Sequence, residues 1–160
     1  MLRRQLIAML SSLSFVRSTI AAAAPGDSGN VEPQHLSDGE WKKRLTPMQY
    51  RVLRKEATEP SHTSALNDEK RRGAYHCAGC DLPLFSSEAK FDSGTGWPSF
   101  FKVLPGAVQT KTDFFLVFPR TEYHCARCEG HQGHVFDDGP PPTGKRYCNN
   151  GVALRFVSAV

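Results

Sequence analysis

Two pairs of cysteines constrain the fold of this chain more than any other feature. Cys77 and Cys80 form the first pair and Cys125 and Cys128 the second, each with two residues between the thiols. This spacing lets both sulfurs of a pair reach one ion, and four thiolates complete a tetrahedral Zn²⁺ shell. Residues 81–124 separate the pairs, so the ion would stabilise folding by closing a long loop. The spacing predicts one structural metal site, with zinc favoured over iron; two redox-active dithiols or unrelated buried thiols are the alternatives.

The fifth cysteine, Cys148, lies apart from both pairs. In a strand, Arg146, Cys148 and Asn150 would share one face, because strand side chains alternate. A neighbouring cation favours the nucleophilic thiolate, which makes Cys148 a candidate nucleophile. The alternatives are a small buried hydrophobe at Cys148 and a hairpin turn at Asn150-Gly151, which would take Asn150 off that face.

Two further clusters suit chemistry on a small substrate. His131 and His134 follow the second cysteine pair, and imidazoles exchange protons near neutral pH. Surface histidines or additional metal ligands are the alternatives. Trp97 lies in a run with Gly94 and Gly96, where a flexible backbone and a rigid ring suit an apolar pocket, although core packing is the ordinary role of a tryptophan. Together these clusters favour nucleophilic chemistry without naming the substrate.

The chain has 160 residues, of which 39% are hydrophobic and 22% charged, as in one globular domain. It contains no uncharged apolar run of the roughly 18 residues needed to span a membrane. Ser37 and Thr46 are helix-start signals, and they predict a short helix through Leu45 and a second helix ending before Pro60. From Gly73 onward, short runs predict a mostly antiparallel β body, with strands at residues 74–77, 108–111, 114–118, 122–125, 134–137, 146–148 and 152–157.

The first 24 residues are predicted to be an organelle transit peptide. They contain Arg3, Arg4, Arg17, several serines and no acid, and they end in a run of alanines. A secretory signal is the less favoured alternative, because Arg17 lies between its apolar stretch and the alanines. Residues 25–35 read as a linker and residues 36–157 as the domain, with the mitochondrion as destination and the plastid as the alternative. Without the three arginines the chain is nearly neutral, which opposes nucleic-acid binding.

Several colinear blocks resemble the B-type methionine sulfoxide reductases. They are residues 45–54, the Cys77/Cys80 knuckle with Pro83-Leu84-Phe85, and residues 90–100, 130–140 and 146–156. The resemblance implies a mainly β fold of two antiparallel sheets with a short N-terminal helical cover and a four-Cys zinc site. It also implies a repair enzyme that reduces the R epimer of methionine sulfoxide, free or in oxidised proteins. Apart from the resemblance, we expect a monomer, and the charge and the lack of a long apolar run predict that it binds neither nucleic acid nor membranes.

The resemblance assigns a role to each matching residue. Cys148 matches the family's nucleophile, and Trp97 matches the aromatic residue that receives the substrate methyl group. The four paired cysteines match the ligands of one structural Zn²⁺. The polar groups around the sulfoxide oxygen are matched by His131, His134 and Asn150. Asp138 and Arg146 match residues in supporting positions.

The chain departs from the family pattern at four positions. Thr95 stands where many members carry a resolving cysteine, so no internal disulfide is expected to close on Cys148. We expect a Cys148 sulfenic acid to be recycled by an external thiol, either thioredoxin or glutathione with glutaredoxin. Asn149 replaces a usual apolar residue, Gly151 a usual serine and Gln132 a usual leucine, and these changes are expected to shift activity or substrate preference.

A non-enzymatic zinc module that binds a protein or nucleic acid is the competing hypothesis. The near-neutral charge opposes nucleic acid as its partner. A pure binding module also gives no reason for Cys148 to lie beside the segment that carries His131 and His134.

Overall fold

The computed structural model describes residues 31–114 and 119–159. The predicted transit peptide, most of the predicted linker and most of the predicted strand at 114–118 lie outside the described residues. The described residues form two α-helices and then a series of strands: α1 (Asp38–Arg44), α2 (Pro47–Lys55), β1 (Gly73–Cys77), β2 (Pro83–Ser86), β3 (Lys90–Phe91), β4 (Ser99–Phe100), β5 (Val108–Asp113), β6 (Arg120–Cys125), β7 (His131–Phe136), β8 (Arg146–Asn149) and β9 (Leu154–Ser158).

Both predicted helices are confirmed, and each begins with a capping box. The Ser37 hydroxyl accepts from the Glu40 backbone N–H, and the Glu40 carboxylate accepts from the Ser37 N–H at 2.8 Å. Thr46 and Gln49 repeat this arrangement at α2, with distances of 3.3 and 3.1 Å. These bonds satisfy backbone donors that a helix start leaves without partners. Local sequence therefore determines where both helices begin.

The two helices cover the cysteine-rich end of the domain. Trp41 of α1 and Leu53 of α2 are each 2% exposed. A β-carbon added at Gly130 would lie 2.9 Å from the Leu53 side chain and 3.3 Å from the Cys128 sulfur. The Arg54 guanidinium also donates to the Cys128 carbonyl at 2.7 Å. No helix in the described part of the chain is long and apolar enough to cross a membrane.

The strands form two antiparallel sheets, as predicted. The smaller sheet has the order β2-β1-β9, and the larger has the order β3-β4-β8-β7-β6-β5. The sequence patterns did not predict three of the described strands, β2, β3 and β4. They are two to four residues long, too short for side-chain alternation to be recognised.

Aromatic rings fill the core between the sheets. Phe85 of β2 stacks on Phe100 of β4 with ring centroids 4.1 Å apart, and Tyr75 of β1 meets Phe100 edge-on at 4.9 Å. Tyr123 of β6 is completely buried beside them. Burial of a phenylalanine side chain such as Phe85 or Phe100 contributes about 1.5–3 kcal/mol. This packing fixes the smaller sheet against the strands that carry the candidate site.

The register of β8 positions the fifth cysteine. Cys148 pairs with Ser99 on β4 and with His134 on β7. Gly133, opposite Asn149, allows the two strands to approach closely, because a β-carbon there would lie 1.9 Å from the Cys148 carbonyl oxygen. Any side chain at Gly133 would therefore push β7 away from β8.

A bulge in β7 brings the two histidines together. Tyr123 pairs with Gly133, but the next pair is His124 with His131, so Gln132 is an extra residue on β7. A bulge of this kind changes the side-chain alternation. The His131 and His134 rings consequently lie 5.6 Å apart, centroid to centroid.

Candidate active site and metal centre

The four paired cysteines form one compact, buried cluster. Their sulfurs all lie within 4.8 Å of one another. The Cys80–Cys125 sulfur distance is 3.4 Å, and the Cys77–Cys128 distance is 3.6 Å. Tetrahedral zinc with bonds of about 2.3 Å would space its sulfurs by about 3.8 Å. The donor set therefore fits a closed structural metal site, as the spacing predicts.

Both cysteine pairs lie in knuckles that close in the same way. The Cys77 carbonyl accepts from the Asp81 N–H, and the Cys125 carbonyl accepts from the Glu129 N–H, each at 2.9 Å. Asp81 and Glu129 both have left-handed backbones, with φ of 65° and 57°. Each turn folds the chain back so that both of its sulfurs face the same point. His76 and His124, which precede the pairs, lie outside the cluster.

A cavity of about 120 Å³ brings together four of the predicted site residues. They are the half-buried Cys148 together with Trp97, His134 and Asn150. The other residues that line it are Thr58, Arg120, Gly133, Phe136 and Asn149. The cavity thus combines a thiol, an imidazole and aromatic walls in a space suited to a small side chain.

Opposing influences act on the Cys148 thiol. Burial raises its pKa, whereas the Arg146 guanidinium and the Thr95 hydroxyl lower it, and burial prevails. Arg146 lies on the same face as Cys148, as predicted, but its charge does not produce a thiolate by itself. Arg146 also makes two hydrogen bonds to Asp138, at 2.7 and 2.8 Å. Neither Arg146 nor Asp138 is among the residues that line the cavity.

His134 is held by an acidic partner. Its Nε2 lies 2.8 Å from the Asp113 carboxylate, which also accepts from Arg120 at 2.7 Å. Burial lowers the pKa of His134, and the bond to Asp113 offsets this only in part. The imidazole is therefore neutral at neutral pH, with Nε2 as the protonated nitrogen by this hydrogen-bond pattern.

His131 occupies a different position from His134. It is 2% exposed, and its Nδ1 lies 2.7 Å from Glu122, whose other oxygen is 3.1 Å from the Lys111 ammonium. Burial opposes the charge on Glu122, but the bonds from His131 and Lys111 prevail and lower the pKa of this carboxyl. His131 borders a second cavity, of about 500 Å³, which His134 also borders. The structure thus places His131 behind His134 and outside the lining of the Cys148 cavity.

Glu59, which sequence reasoning missed, joins two walls of the Cys148 cavity. Its backbone N–H donates to the Asn150 side chain at 2.9 Å, and its carbonyl accepts from the Trp97 indole at 3.1 Å. Its buried carboxylate accepts from the backbone N–H groups of Gly151 and Val152. In the sequence Glu59 is only an acidic residue before a proline in a polar stretch. That pattern does not distinguish a buried carboxylate from a solvated one.

Asn150 lies beyond the end of β8, so it does not share the strand face of Cys148. Its amide also donates to the Gln132 carbonyl at 3.0 Å. One amide hydrogen of Asn150 remains for a ligand in the cavity. The predicted turn at Asn150-Gly151 is the start of a 3₁₀ helix, Gly151–Ala153.

Thr95 occupies a tight turn beside Cys148. Gly94 and Gly96 flank it with φ of 71° and 85°, values that glycine adopts without strain. Hydroxyl groups link Thr95 to Ser93 at 2.8 Å and Ser93 to Ser99 at 2.7 Å. All five cysteines lie within the described residues, and none forms a disulfide.

Comparison with known proteins identifies the class of this domain. The SelR domain model matches residues 45–158, so the chain belongs to the SelR-domain family. Its relatives are B-type peptide methionine sulfoxide reductases, which confirms the resemblance found in the sequence.

Two of these relatives illustrate the extent of the match. The chain is 54% identical over 122 residues to peptide methionine sulfoxide reductase B1, chloroplastic, of Arabidopsis thaliana, covering 76% of this chain and 60% of that protein. It is 53% identical over 121 residues to peptide methionine sulfoxide reductase MsrB of Thiobacillus denitrificans, covering 75% and 92%. The chain thus spans about 60% of the length of the plant relative and most of the bacterial one.

One solved structure shows a distant likeness. The crystal structure of the Mis18 'Yippee-like' domain aligns with 56% of this chain and 99% of that chain, with a TM-score of 0.44 and 16% identity. This likeness is too distant to support a functional conclusion.

Proposed function

We propose that the protein reduces methionine sulfoxide, free and in oxidised proteins, and that it acts on the R epimer. The observation that carries the proposal is the single cavity lined by the Cys148 thiol, the Trp97 ring and the His134 imidazole. The names of the relatives, peptide methionine sulfoxide reductases, support the same activity. The function would be the repair of oxidative damage.

The reaction begins with activation of Cys148. Sulfoxide sulfur is a poor electrophile until its oxygen is protonated or hydrogen-bonded, so the site must supply a thiolate and a proton together. Because burial lowers the pKa of His134 and raises that of Cys148, both are neutral at rest. His134 takes the thiol proton, the Cys148 sulfur attacks the substrate sulfur, and His134 returns the proton to the oxygen.

The products follow from the transfer of one oxygen atom. The bond that the attack forms between the two sulfurs is transient. It breaks together with the bond between the substrate sulfur and oxygen, while the oxygen bonds to the Cys148 sulfur and leaves it as a sulfenic acid. The substrate sulfur gains two electrons and becomes methionine, while the cysteine sulfur loses two. No net proton is consumed, because the thiol proton becomes the sulfenic acid proton.

The other predicted residues orient the substrate or its catalytic groups. Trp97 receives the substrate methyl group, and Asn150 donates its remaining amide hydrogen to the oxygen. These contacts select the epimer, because the S form exchanges the positions of oxygen and lone pair. His131 supports His134 from behind, and the Arg146–Asp138 pair holds a cation near the thiol.

An external thiol regenerates the enzyme. One thiol condenses with the Cys148 sulfenic acid to give a mixed disulfide and water, and a second thiol releases Cys148 as the free thiol. Thioredoxin, or glutathione with glutaredoxin, would act as this reductant. The position of Thr95 beside Cys148, with the other cysteines in the cluster, supports this requirement.

The metal in the four-cysteine cluster is proposed to be one structural Zn²⁺. Four thiolates suit zinc, and a closed shell leaves no place for a substrate. The ion would hold the knuckles of Cys77/Cys80 and Cys125/Cys128 together, and no step of the reaction would pass through it.

We also propose that residues 1–24 direct the protein to an organelle, with residues 25–35 as linker and residues 36–157 as the reductase domain. The Arg- and Ser-rich composition supports either mitochondrion or plastid, and the chloroplastic relatives support the plastid. Residues 1–30 fused to a fluorescent reporter should enter an organelle in plant cells. A reporter that stays in the cytosol or is secreted would refute this part of the proposal.

The proposed activity is tested with the separate R and S epimers of methionine sulfoxide and dithiothreitol as reductant. We expect turnover of the R epimer alone, and its loss in Cys148→Ser. Cys77→Ser is unsuitable as a control because it removes a metal ligand, whereas Ser158→Ala changes an exposed side chain on β9 and should leave turnover unchanged. Absence of R turnover, or its persistence in Cys148→Ser, would favour the non-enzymatic module.

A further inference from the structure

Two amide side chains are buried between the cysteine cluster and the strand of the nucleophile. Gln132 is the bulged residue of β7, and Asn149 is the last residue of β8, directly after Cys148. Both are completely buried. An amide buried without hydrogen-bond partners costs about 1–3 kcal/mol of stability. The hydrogen bonds that Gln132 and Asn149 make offset this cost and allow both amides to lie in the core.

The contacts form a continuous chain from the cluster to β8. Gln132 donates through Nε2 to the Cys77 sulfur at 3.4 Å and to the Gly130 carbonyl at 3.4 Å. Asn149 donates through Nδ2 to the Gln132 Oε1 at 3.5 Å and to the Asn150 carbonyl at 2.8 Å. The Asn149 Oδ1 accepts from the Tyr123 hydroxyl at 2.7 Å.

A thiolate at the cluster determines which group donates and which accepts in each hydrogen bond of this series. A metal-bound Cys77 sulfur and the Gly130 carbonyl both only accept, so the Gln132 NH₂ must face them. The Gln132 oxygen then faces Asn149, which must present its own NH₂. The Asn149 oxygen is left to accept from Tyr123, as observed. The hydrogen bond to a charged thiolate is also stronger than one to a neutral thiol.

We propose that Gln132 and Asn149 are positioning residues that couple metal retention to the placement of β8. Gln132 stabilises the metal-bound thiolate of Cys77, and Asn149 holds Gln132 in the orientation that this requires. The coupling is reciprocal, so the metal in turn holds the strand that carries Cys148. The inference rests on the metal site proposed above and not on the proposed reaction.

The test is a double-mutant cycle on the zinc-loaded full-length protein. The variants are Gln132→Met, Asn149→Leu and the double variant, with Gln109→Met as control because Gln109 is exposed on β5. Two readouts are compared: the rate of zinc transfer to a chromogenic chelator, and the sulfur-to-metal charge-transfer bands of the cobalt-substituted protein. The cobalt bands report on the thiolates themselves, so a merely structural role of the amides would not shift them.

We expect Gln132→Met to release zinc about tenfold faster and to shift the cobalt bands. Tenfold is the lower end of the effect usually seen when a residue that hydrogen-bonds to a metal ligand is replaced. Asn149→Leu should have the same two effects. The Asn149 side chain acts on the cluster only through Gln132, since its hydrogen bonds go to Gln132, Asn150 and Tyr123. The double variant should be no faster than Gln132→Met, and Gln109→Met should match the wild type. If Asn149→Leu does not fold, Asn149→Ser removes the same contact in a smaller, polar form.

Other outcomes would overturn the inference. Unchanged zinc release and unchanged cobalt bands in the folded Asn149 variant would show that no coupling passes through it. Effects that multiply in the double variant would show that the two amides act independently. A protein isolated without metal and unable to bind zinc would refute the metal site as well, whereas a zinc protein without reductase activity would refute only the proposed reaction.

Discussion

At the scale of single residues, burial and a charged neighbour shift the pKa of Cys148 in opposite directions. The same two kinds of influence oppose each other at His134. Burial disfavours the charged form of both, while Arg146 favours the thiolate and Asp113 favours the imidazolium. The pair is therefore neutral at rest, and in the proposed reaction it becomes charged when the proton moves from sulfur to nitrogen. Two pH-dependent measurements follow from these directions.

The first measurement concerns Arg146. Because burial raises the pKa of Cys148 and Arg146 lowers it, Arg146→Met should raise this pKa further, and Arg146→Lys should raise it less. The check is the pH dependence of iodoacetamide alkylation at the Cys148 peptide, followed by mass spectrometry. The control is Arg155→Met, which removes an exposed cation on β9. A midpoint unchanged in Arg146→Met would show that its charge does not act on the thiol.

The second measurement concerns His134. Its pKa is lowered in the folded state, so as the pH falls through about 6.5 the unfolded chain binds the proton first. Stability is therefore lost as the pH falls, and the loss continues until the folded-state pKa is reached. Urea unfolding from about pH 7.5 to about pH 5.5 should show a larger loss for the wild type than for His134→Asn. Equal losses would contradict the assigned direction.

The grouping of candidate site residues could be predicted from the sequence where the residue type itself limits the possible roles. Cys148, Trp97 and His134 carry groups suited to few purposes, and the structure brings all three to one cavity. Glu59 could not be predicted, because its role arises from backbone contacts made across the fold to Asn150 and Gly151.

At the scale of elements, the contact between β7 and β8 determines the shape of the site. Gly133 lets the Cys148 carbonyl approach, and the bulge at Gln132 aligns the two histidines. The position of this bulge depends on pairing with β6, which no local pattern specifies. The capping boxes of α1 and α2, in contrast, lie within four consecutive residues each, which is why the helix starts were predictable.

The close contact predicts a strong effect of Gly133→Ala. The added β-carbon would lie 1.9 Å from the Cys148 carbonyl oxygen, so the strands must separate. We expect a loss of at least about 2 kcal/mol in the free energy of unfolding, from overpacking. Denaturant unfolding measures it, with Gly39→Ala as control.

The control variant should behave in the opposite way. Gly39 lies within α1, and a β-carbon there meets nothing within 4 Å. Alanine in a helix is more stable than glycine by about 0.5–1 kcal/mol, so Gly39→Ala should be neutral or stabilising. A Gly133→Ala variant as stable as Gly39→Ala would mean that β7 and β8 do not approach as described.

At the scale of the whole molecule, the cysteine cluster joins the two sheets. Cys77 ends β1 in the smaller sheet, and Cys125 ends β6 in the larger one. The paired spacing in the sequence predicts that these distant knuckles meet. The order of the strands, however, depends on contacts between residues far apart in sequence, and the sequence pattern indicated only a mostly antiparallel arrangement.

The cluster predicts that metal and stability are lost together. Cys125→Ser should lose the proposed zinc ion and lower the melting temperature by more than about 10 °C, because a structural metal supplies folding free energy directly. Cys148→Ser is the matched control and should keep both, since Cys148 lies outside the cluster. Metal analysis and thermal unfolding give the comparison, and a fully metallated, equally stable Cys125→Ser would contradict the four-thiolate site.

The most direct test of the proposed reaction is a single turnover without any added thiol. The reduced, zinc-loaded protein is mixed with an excess of methionine R-sulfoxide, and both products are followed by mass spectrometry. We predict one methionine formed per protein molecule and one oxygen atom gained at Cys148, trapped as a sulfenic acid adduct. A Cys148 left unmodified after methionine is formed, or a disulfide between Cys148 and a cluster cysteine, would contradict this account.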